Sequence, residues 1–218
     1  PSVSPGGTEV AFIGFGDPST FPQNAKVGVL PIGSTCAPES EIRWISTGLD
    51  RTFETTAGSP APVWESDHHL LAIAEDRGAT HLYRVSTDGT AVPAQVTAGP
   101  VTVSSFDAAS GVVATARDCV DHPAELYVGD ERRTRVGDAV AAQLLAWEHF
   151  TAATTDGTGE IDAWIMRPAD FDETKRYPVL LNVHGGPFTQ YGEHFFDEFQ
   201  MQAAEAVEGL FPQAGADA

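Results

Sequence analysis

The chain has 218 residues, enough for one large domain or parts of two. A hydrophobic content of 42% excludes disorder throughout, and no apolar stretch is long enough to span a membrane. The formal net charge of −19, from 31 acidic and 12 basic residues, repels nucleic acid phosphates and anionic membranes, so neither is expected as a partner. Only Lys26 and Lys175 are lysines. Such a surface reads either as a solvated acidic coat that aids solubility or as adaptation to high salt, where self-repulsion is screened. Cys36 and Cys119 lie far apart without metal spacing, and no basic-then-apolar signal segment opens the chain. Reduced thiols in a cytoplasmic protein are therefore expected, although the spacing leaves a disulfide open.

Short strands separated by turns are predicted from residue 1 to about residue 145. The chain opens at Pro1 in the middle of a repeat-like phrase, which predicts sequence before it. Residues 9–14 (EVAFIG) follow the turn Ser4-Pro5-Gly6-Gly7. Residues 70–74 (LLAIA) follow a turn read at Trp64-Glu65-Ser66-Asp67, and residues 81–85 (HLYRV) precede Asp88-Gly89. Residues 111–116 (GVVATA) follow Phe106-Asp107, and residues 125–128 (ELYV) precede Gly129-Asp130. Valine, isoleucine and tyrosine favour strands, and Asp-Gly pairs favour hairpin turns.

Two of these stretches share a plan. Each carries an aspartate-bearing turn, an apolar strand, a polar turn, then Leu-Tyr-hydrophobic and another turn. Trp64 and Phe106 hold matching places 42 residues apart, a period in the range of β-propeller blades. SPGGTEVAFIG reads as a third copy of the first half. The chain has room for about two or three blades, too few to close a ring. An irregular β-sandwich is the alternative.

The pattern changes near Trp147. Residues 148–154 (EHFTAAT) alternate as a strand, Asp156-Gly157 turns, and residues 161–166 (IDAWIM) return. A charged loop follows. Residues 179–183 (VLLNV) are apolar on both faces, as the central strand of a covered sheet should be. They run into His184-Gly185-Gly186-Pro187, a glycine loop of the kind that supplies a backbone N–H to an oxyanion in α/β-hydrolases. A helix is predicted over residues 195–206 from the spacing of Phe195, Phe199, Ala203 and Ala206. In that fold the nucleophile serine comes later, yet the last serine here is Ser110.

These phrases together resemble the prolyl oligopeptidase family of serine peptidases, in the branch of acylaminoacyl peptidases and dipeptidyl aminopeptidases. The resemblance rests on His122-Pro123-Ala124-Glu125-Leu126-Tyr127-Val128, on Asp156-Gly157 through Arg167-Pro168, and on Tyr177-Pro178-Val179 through His184-Gly185-Gly186-Pro187. Tyr191-Gly192 and Phe199-Gln200 extend it. It covers roughly residues 60–204.

The resemblance implies a mainly β chain: a partial β-propeller of about two to three blades, residues 1–146, then the first strands of an α/β-hydrolase domain, residues 147–218. It implies a serine peptidase that hydrolyses short peptides from their N-terminal end, with no cofactor. Gly185 and Gly186 match the glycine pair of the oxyanion loop. His184 and Pro187 match structural positions of the motif, and His184 is not the triad base. No catalytic residue carries over. The family pattern continues with an asparagine-arginine-glycine segment and a Gly-x-Ser-x-Gly elbow, whereas residues 205–218 read EAVEGLFPQAGADA. The expectation is a fragment, truncated or frame-shifted, inactive alone. A non-catalytic β-rich interaction module and a lipase-like esterase fragment are the alternatives. No residue pattern specifies an oligomeric state.

Other candidate groups read as structural. His68 and His69 are adjacent on a strand and point to opposite faces, so they do not share an ion. Asp170, Asp172 and Glu173 lack the spacing of a calcium loop. Asp118, Asp121 and His122 beside Cys119 fall in a blade turn. Arg132, Arg133 and Arg135 read as a hairpin surface. Trp44, Trp64, Trp147 and Trp164 read as packing residues.

Overall fold

The computed structural model describes residues 1–17, 19–20, 22–33, 41–55, 59–145, 147–186 and 190–195. The architecture is mainly β, as expected. Strands β1 (Ser2–Val3), β2 (Glu9–Gly14), β3 (Lys26–Pro31) and β4 (Arg43–Trp44) form an antiparallel sheet in chain order. Next come β5 (Val63–Ser66), β6 (His69–Asp76), β7 (Ala79–Ser86) and β8 (Ala94–Gln95). The third set is β9 (Thr102–Ala109), β10 (Val112–Cys119), β11 (His122–Val128) and β12 (Glu131–Arg132). The second and third sets are joined by one parallel bridge, Thr80 to Thr102. Among the described residues up to 145 there are therefore three four-stranded antiparallel meanders, the unit from which propeller blades are built. A short helix α1 (Asp138–Ala141) follows, then the hairpin of β13 (Trp147–Ala153) and β14 (Glu160–Met166).

The middle meander explains why its strands are apolar on both faces. Along β6 the side chains alternate between two cores. Leu70, Ala72 and Ala74 join Ala11, Val27, Val29, Ile45 and Phe53 of the first meander and the loop after it. Leu71 and Ile73 join Val103 and Phe106 of the third. A strand covered on both sides loses the polar-out alternation of a half-exposed one. On the third meander Val112 and Leu126 are exposed.

The repeat read from the sequence matches this register, since Trp64 lies on β5 and Phe106 on β9, the first strands of successive meanders. Both sites were read as turns and are strands. Their neighbours Leu70, Leu71 and Val113 supply the antiparallel partners and contacts that a short polar stretch such as Val63–Ser66 needs. Turn chemistry also repeats. Ser4 Oγ accepts the amides of Thr8 and Glu9, and Ser66 Oγ accepts those of His68 and His69, each at 3.1–3.2 Å. The hairpins β6–β7 and β9–β10 turn through Arg77-Gly78 and Ser110-Gly111, with positive φ at both central residues. That conformation gives the twist that matches flanking strands.

One expectation fails. Residues 179–183 form no strand, and Val179, Leu180, Leu181 and Val183 are 71–88% exposed. A central strand needs partners on both edges. Among the described residues after 146, the strands present are β13 and β14, and they pair with each other. The helix predicted over 195–206 lies outside the described residues, apart from Phe195, as do Cys36 and Pro187. Among the described residues no helix is long and apolar enough to cross a membrane.

Candidate functional site

The glycine loop sits at the end of the exposed apolar run. Gly186 has φ of +126°, a conformation open to glycine and closed to most side chains. A Cβ on Gly185 would meet nothing within 4 Å. His184 Nδ1 lies 3.0 Å from Gly185 O, inside the loop itself. The His184 ring also meets Tyr191 edge-on, with centroids 5.8 Å apart. The Tyr191 hydroxyl donates to Asn182 Oδ1 at 3.4 Å. Tyr191 therefore touches the apolar run just before the loop and the motif histidine that opens it.

Residues 190–195 are fastened to the second and third meanders. Gly78 N–H donates to Gln190 Oε1 at 3.0 Å, and Glu193 N–H donates to Gly78 O at 2.7 Å. Thr102 Oγ1 donates to Glu193 O at 3.0 Å, and Trp164 Nε1 to Glu193 Oε1 at 3.1 Å. Phe195 N–H donates to Asp118 Oδ1 at 2.8 Å. Two glycines make the approach possible. A Cβ on Gly78 would lie 2.6 Å from Trp164 Cη2, and one on Gly192 would overlap Gly78 O. Beside this junction Arg77 forms a two-pronged bond to Asp162, at 2.8 and 3.1 Å, while His149 Nε2 sits 2.8 Å from the same carboxylate. Arg77 holds the Asp162 carboxyl below its ordinary range against the opposing effect of burial, with His149 adding to the depression.

Asp118 behaves differently. Burial pushes its carboxyl up to about 6, partly offset by the hydrogen bond from Phe195 N–H. Between 3.8 and about 6 the folded chain keeps a proton that the unfolded chain has released. The contribution to stability is thus full below pH 3.8 and is lost as pH rises through about 6. Asp118→Asn keeps an acceptor for Phe195 and removes the titration. Its urea midpoint at pH 7 is expected to rise by roughly 0.3 M, after allowance for solvent screening of a half-buried group, and to stay flat across this window. Denaturation curves at several pH values check both points.

The remaining sequence candidates are structural. His69 is exposed at the start of β6, whereas His68, read as a strand residue, is exposed in the turn before it. Cys119 donates to Asp121 Oδ1 at 3.1 Å, and burial, with Asp121, pushes its thiol up to about 12. A thiol so far above neutral pH is no nucleophile. Asp172 caps its own loop through Thr174 and pairs with Lys175. Arg132, Arg133 and Arg135 pair with Glu125, Glu131 and Asp138.

His122, Glu125 and Asp138 are a trio with ligand atoms within 4.8 Å of one another, the spacing of a metal site. The Arg132 guanidinium stands among them. It bonds to Asp138, lies 3.1 Å from Glu125 Oε1, and lies 3.0 Å from His122 Nε2. Glu125 is 2% exposed and also accepts from Thr134 Oγ1 and, at 2.6 Å, from Gly137 N–H. The trio holds an arginine and ties β11, β12 and α1 together. Sequence reading set His122 beside Cys119 and suggested no partner for Glu125. It also missed Gly78, Thr102 and Glu193, for which no local pattern exists.

Comparison with known proteins gives the class. The chain is 31% identical over 161 residues to an uncharacterized peptidase, YuxL, of Bacillus subtilis, covering 69% of this chain and 24% of that protein. It is 28% identical over 126 residues to dipeptidyl-peptidase 5 of Porphyromonas endodontalis, covering 54% of this chain and 18% of that one. An acylaminoacyl peptidase solved in complex with Z-Gly-Gly-Phe-chloromethyl ketone shares the fold, with a TM-score of 0.71, 21% identity, and cover of 91% of this chain and 30% of that chain. No family model matches. The chain is thus related to peptidases and spans about a quarter of the length of the first of these relatives. The likeness to peptidases and dipeptidyl-peptidases agrees with the resemblance to the prolyl oligopeptidase family read from the sequence.

Proposed function

We propose that the chain is part of a serine peptidase that hydrolyses short peptides from their N-terminal end. Residues 1–146 are propeller blades that restrict access, and residues 147–218 open an α/β-hydrolase domain. The observation that carries this reading is the glycine loop His184-Gly185-Gly186 after an apolar run, with Gly186 at φ +126°. In this reading a backbone N–H of the loop holds the oxyanion formed when a serine attacks a peptide carbonyl, an interaction worth ~3 kcal/mol to the transition state. His184 and Pro187 hold the structural positions of the sequence motif, and a histidine and an aspartate activate the serine. The substrate is a short peptide, no cofactor takes part, and the setting is cytoplasmic.

Within these 218 residues no serine follows the loop. The purified chain is therefore expected to take no label from a fluorophosphonate probe and to leave an acetyl-alanine nitroanilide intact. Stoichiometric labelling would refute the assignment of roles. Reading the DNA beyond the codon for Gln200 in all three frames tests the parentage. A Gly-x-Ser-x-Gly elbow followed by an aspartate and a histidine supports it, and their absence overturns it.

A further inference from the structure

We propose that the Arg77-Gly78 turn and Thr102 position the Gly185-Gly186 loop, acting through the segment from Gln190 to Phe195. The proposal rests on the reading of that loop as an oxyanion site and adds what holds it in place. An N–H that binds an oxyanion must be held within a fraction of an ångström. The anchor lies close by. Gln190 is four residues beyond Gly186, so fixing Gln190 keeps Gly186 within ~14 Å of it, whatever path the chain takes.

Tyr191 shortens the tether further. It is flanked by Gln190, bonded to Gly78 N–H, and by Gly192, which sits against Gly78 O. Its ring and hydroxyl reach back to His184 and Asn182. Tyr191, flanked by residues docked on the meander, thereby touches two of the residues that lead into the loop. The docking is specific to its chemistry. Gly78 uses both its N–H and its carbonyl, Thr102 supplies the donor for Glu193 O, and there is no room for a Cβ on either glycine. The consequence is that the blades do more than screen the site: a turn between two of their strands sets the geometry of the oxyanion donor.

The test uses the 218-residue chain and needs no catalysis, so its result is independent of whether Gly186 binds an oxyanion. Hydrogen–deuterium exchange reports the Gly78, Glu193 and Phe195 amides, and amide NMR reports Gly185 and Gly186. Thr102→Val removes the donor, and exchange over residues 190–195 is expected to speed up about fivefold while β6 and β7 stay protected. The Gly185 and Gly186 resonances shift with it. Thr102→Ser keeps the hydroxyl and is expected to restore both signals. Gly192→Ala is expected to release the segment outright. Coil-like exchange of residues 190–195 in the unaltered chain overturns the proposal, as does identical behaviour of the valine and serine variants. Release of the segment with the Gly185 and Gly186 resonances unmoved overturns the positioning role.

Discussion

Phe53→Ala is expected to lower the stability of the chain by about 3–5 kcal/mol, which is a fall in urea midpoint of more than about 1 M. Phe53 is fully buried and meets Tyr83 edge-on, with ring centroids 6.2 Å apart. It lies on the loop between the first and second meanders and fills the core they share with Val27, Val29, Leu70 and Val85. Its own amide bonds to Ala25 O at 3.0 Å, and the Thr52 carbonyl accepts from Glu75 N–H at 3.1 Å. The side chain and backbone thus join two sheets that share no strand pairing. Truncation leaves a cavity between rigid walls that cannot close over it. Urea denaturation followed by tryptophan fluorescence reads the loss. An unchanged midpoint would mean that the two meanders are not packed through this ring.

Glu125→Ala is expected to produce a fall of the same order and to act locally first. Burial pushes the Glu125 carboxyl up, and this is outweighed by hydrogen bonds from Thr134, Gly137 N–H, Arg132 and Val136 N–H, which bring it down to about 2. Removing one member of a buried charge network strands the others. Arg132 keeps Asp138 and loses its enclosed partner, and Thr134 and Gly137 lose their acceptor. Exchange protection should vanish over β12 and α1 before the rest of the chain opens. The pH dependence has a definite sign. A carboxyl lowered from 4.5 to about 2 contributes stability that is present above pH 4.5 and is lost as pH falls toward 2. Wild-type chain should lose midpoint steadily across that window, and Glu125→Gln should lose less, because it has no proton to take up there. Parallel acid slopes for the two proteins would sink the account.

Much of the fold was legible in local chemistry. Residues 9–14 were read as a strand and form β2 with the same ends, and 161–166 form most of β14. Valine, isoleucine and tyrosine at alternating positions carry that signal, and it depends on neighbours only weakly. The 42-residue step from Trp64 to Phe106 was legible because repeated units must repeat their packing residues. What was misread was their element, since a four-residue strand such as Val63–Ser66 is made by the partner that hydrogen-bonds to it. Strand β3 went unread for a related reason: the run KVGVLP carries a glycine and ends in proline, both of which weaken a strand signal.

The candidate site divides the same way. The sequence alone carried the resemblance to a peptidase family, because the phrases HPAELYV and HGGP need particular residue types in order and no knowledge of distant partners. It determined the mainly β character, the repeat and the acidic charge. Only the tertiary structure decided that Arg132 pairs with an enclosed Glu125, that Gly78 and Gly192 meet 114 residues apart, and that residues 179–183 lie exposed. The physical reason is common to all three. Hydrophobic periodicity and turn chemistry are properties of neighbouring residues, whereas a close backbone approach, a buried ion pair and the covering of a strand are made by parts of the chain that meet only when it folds.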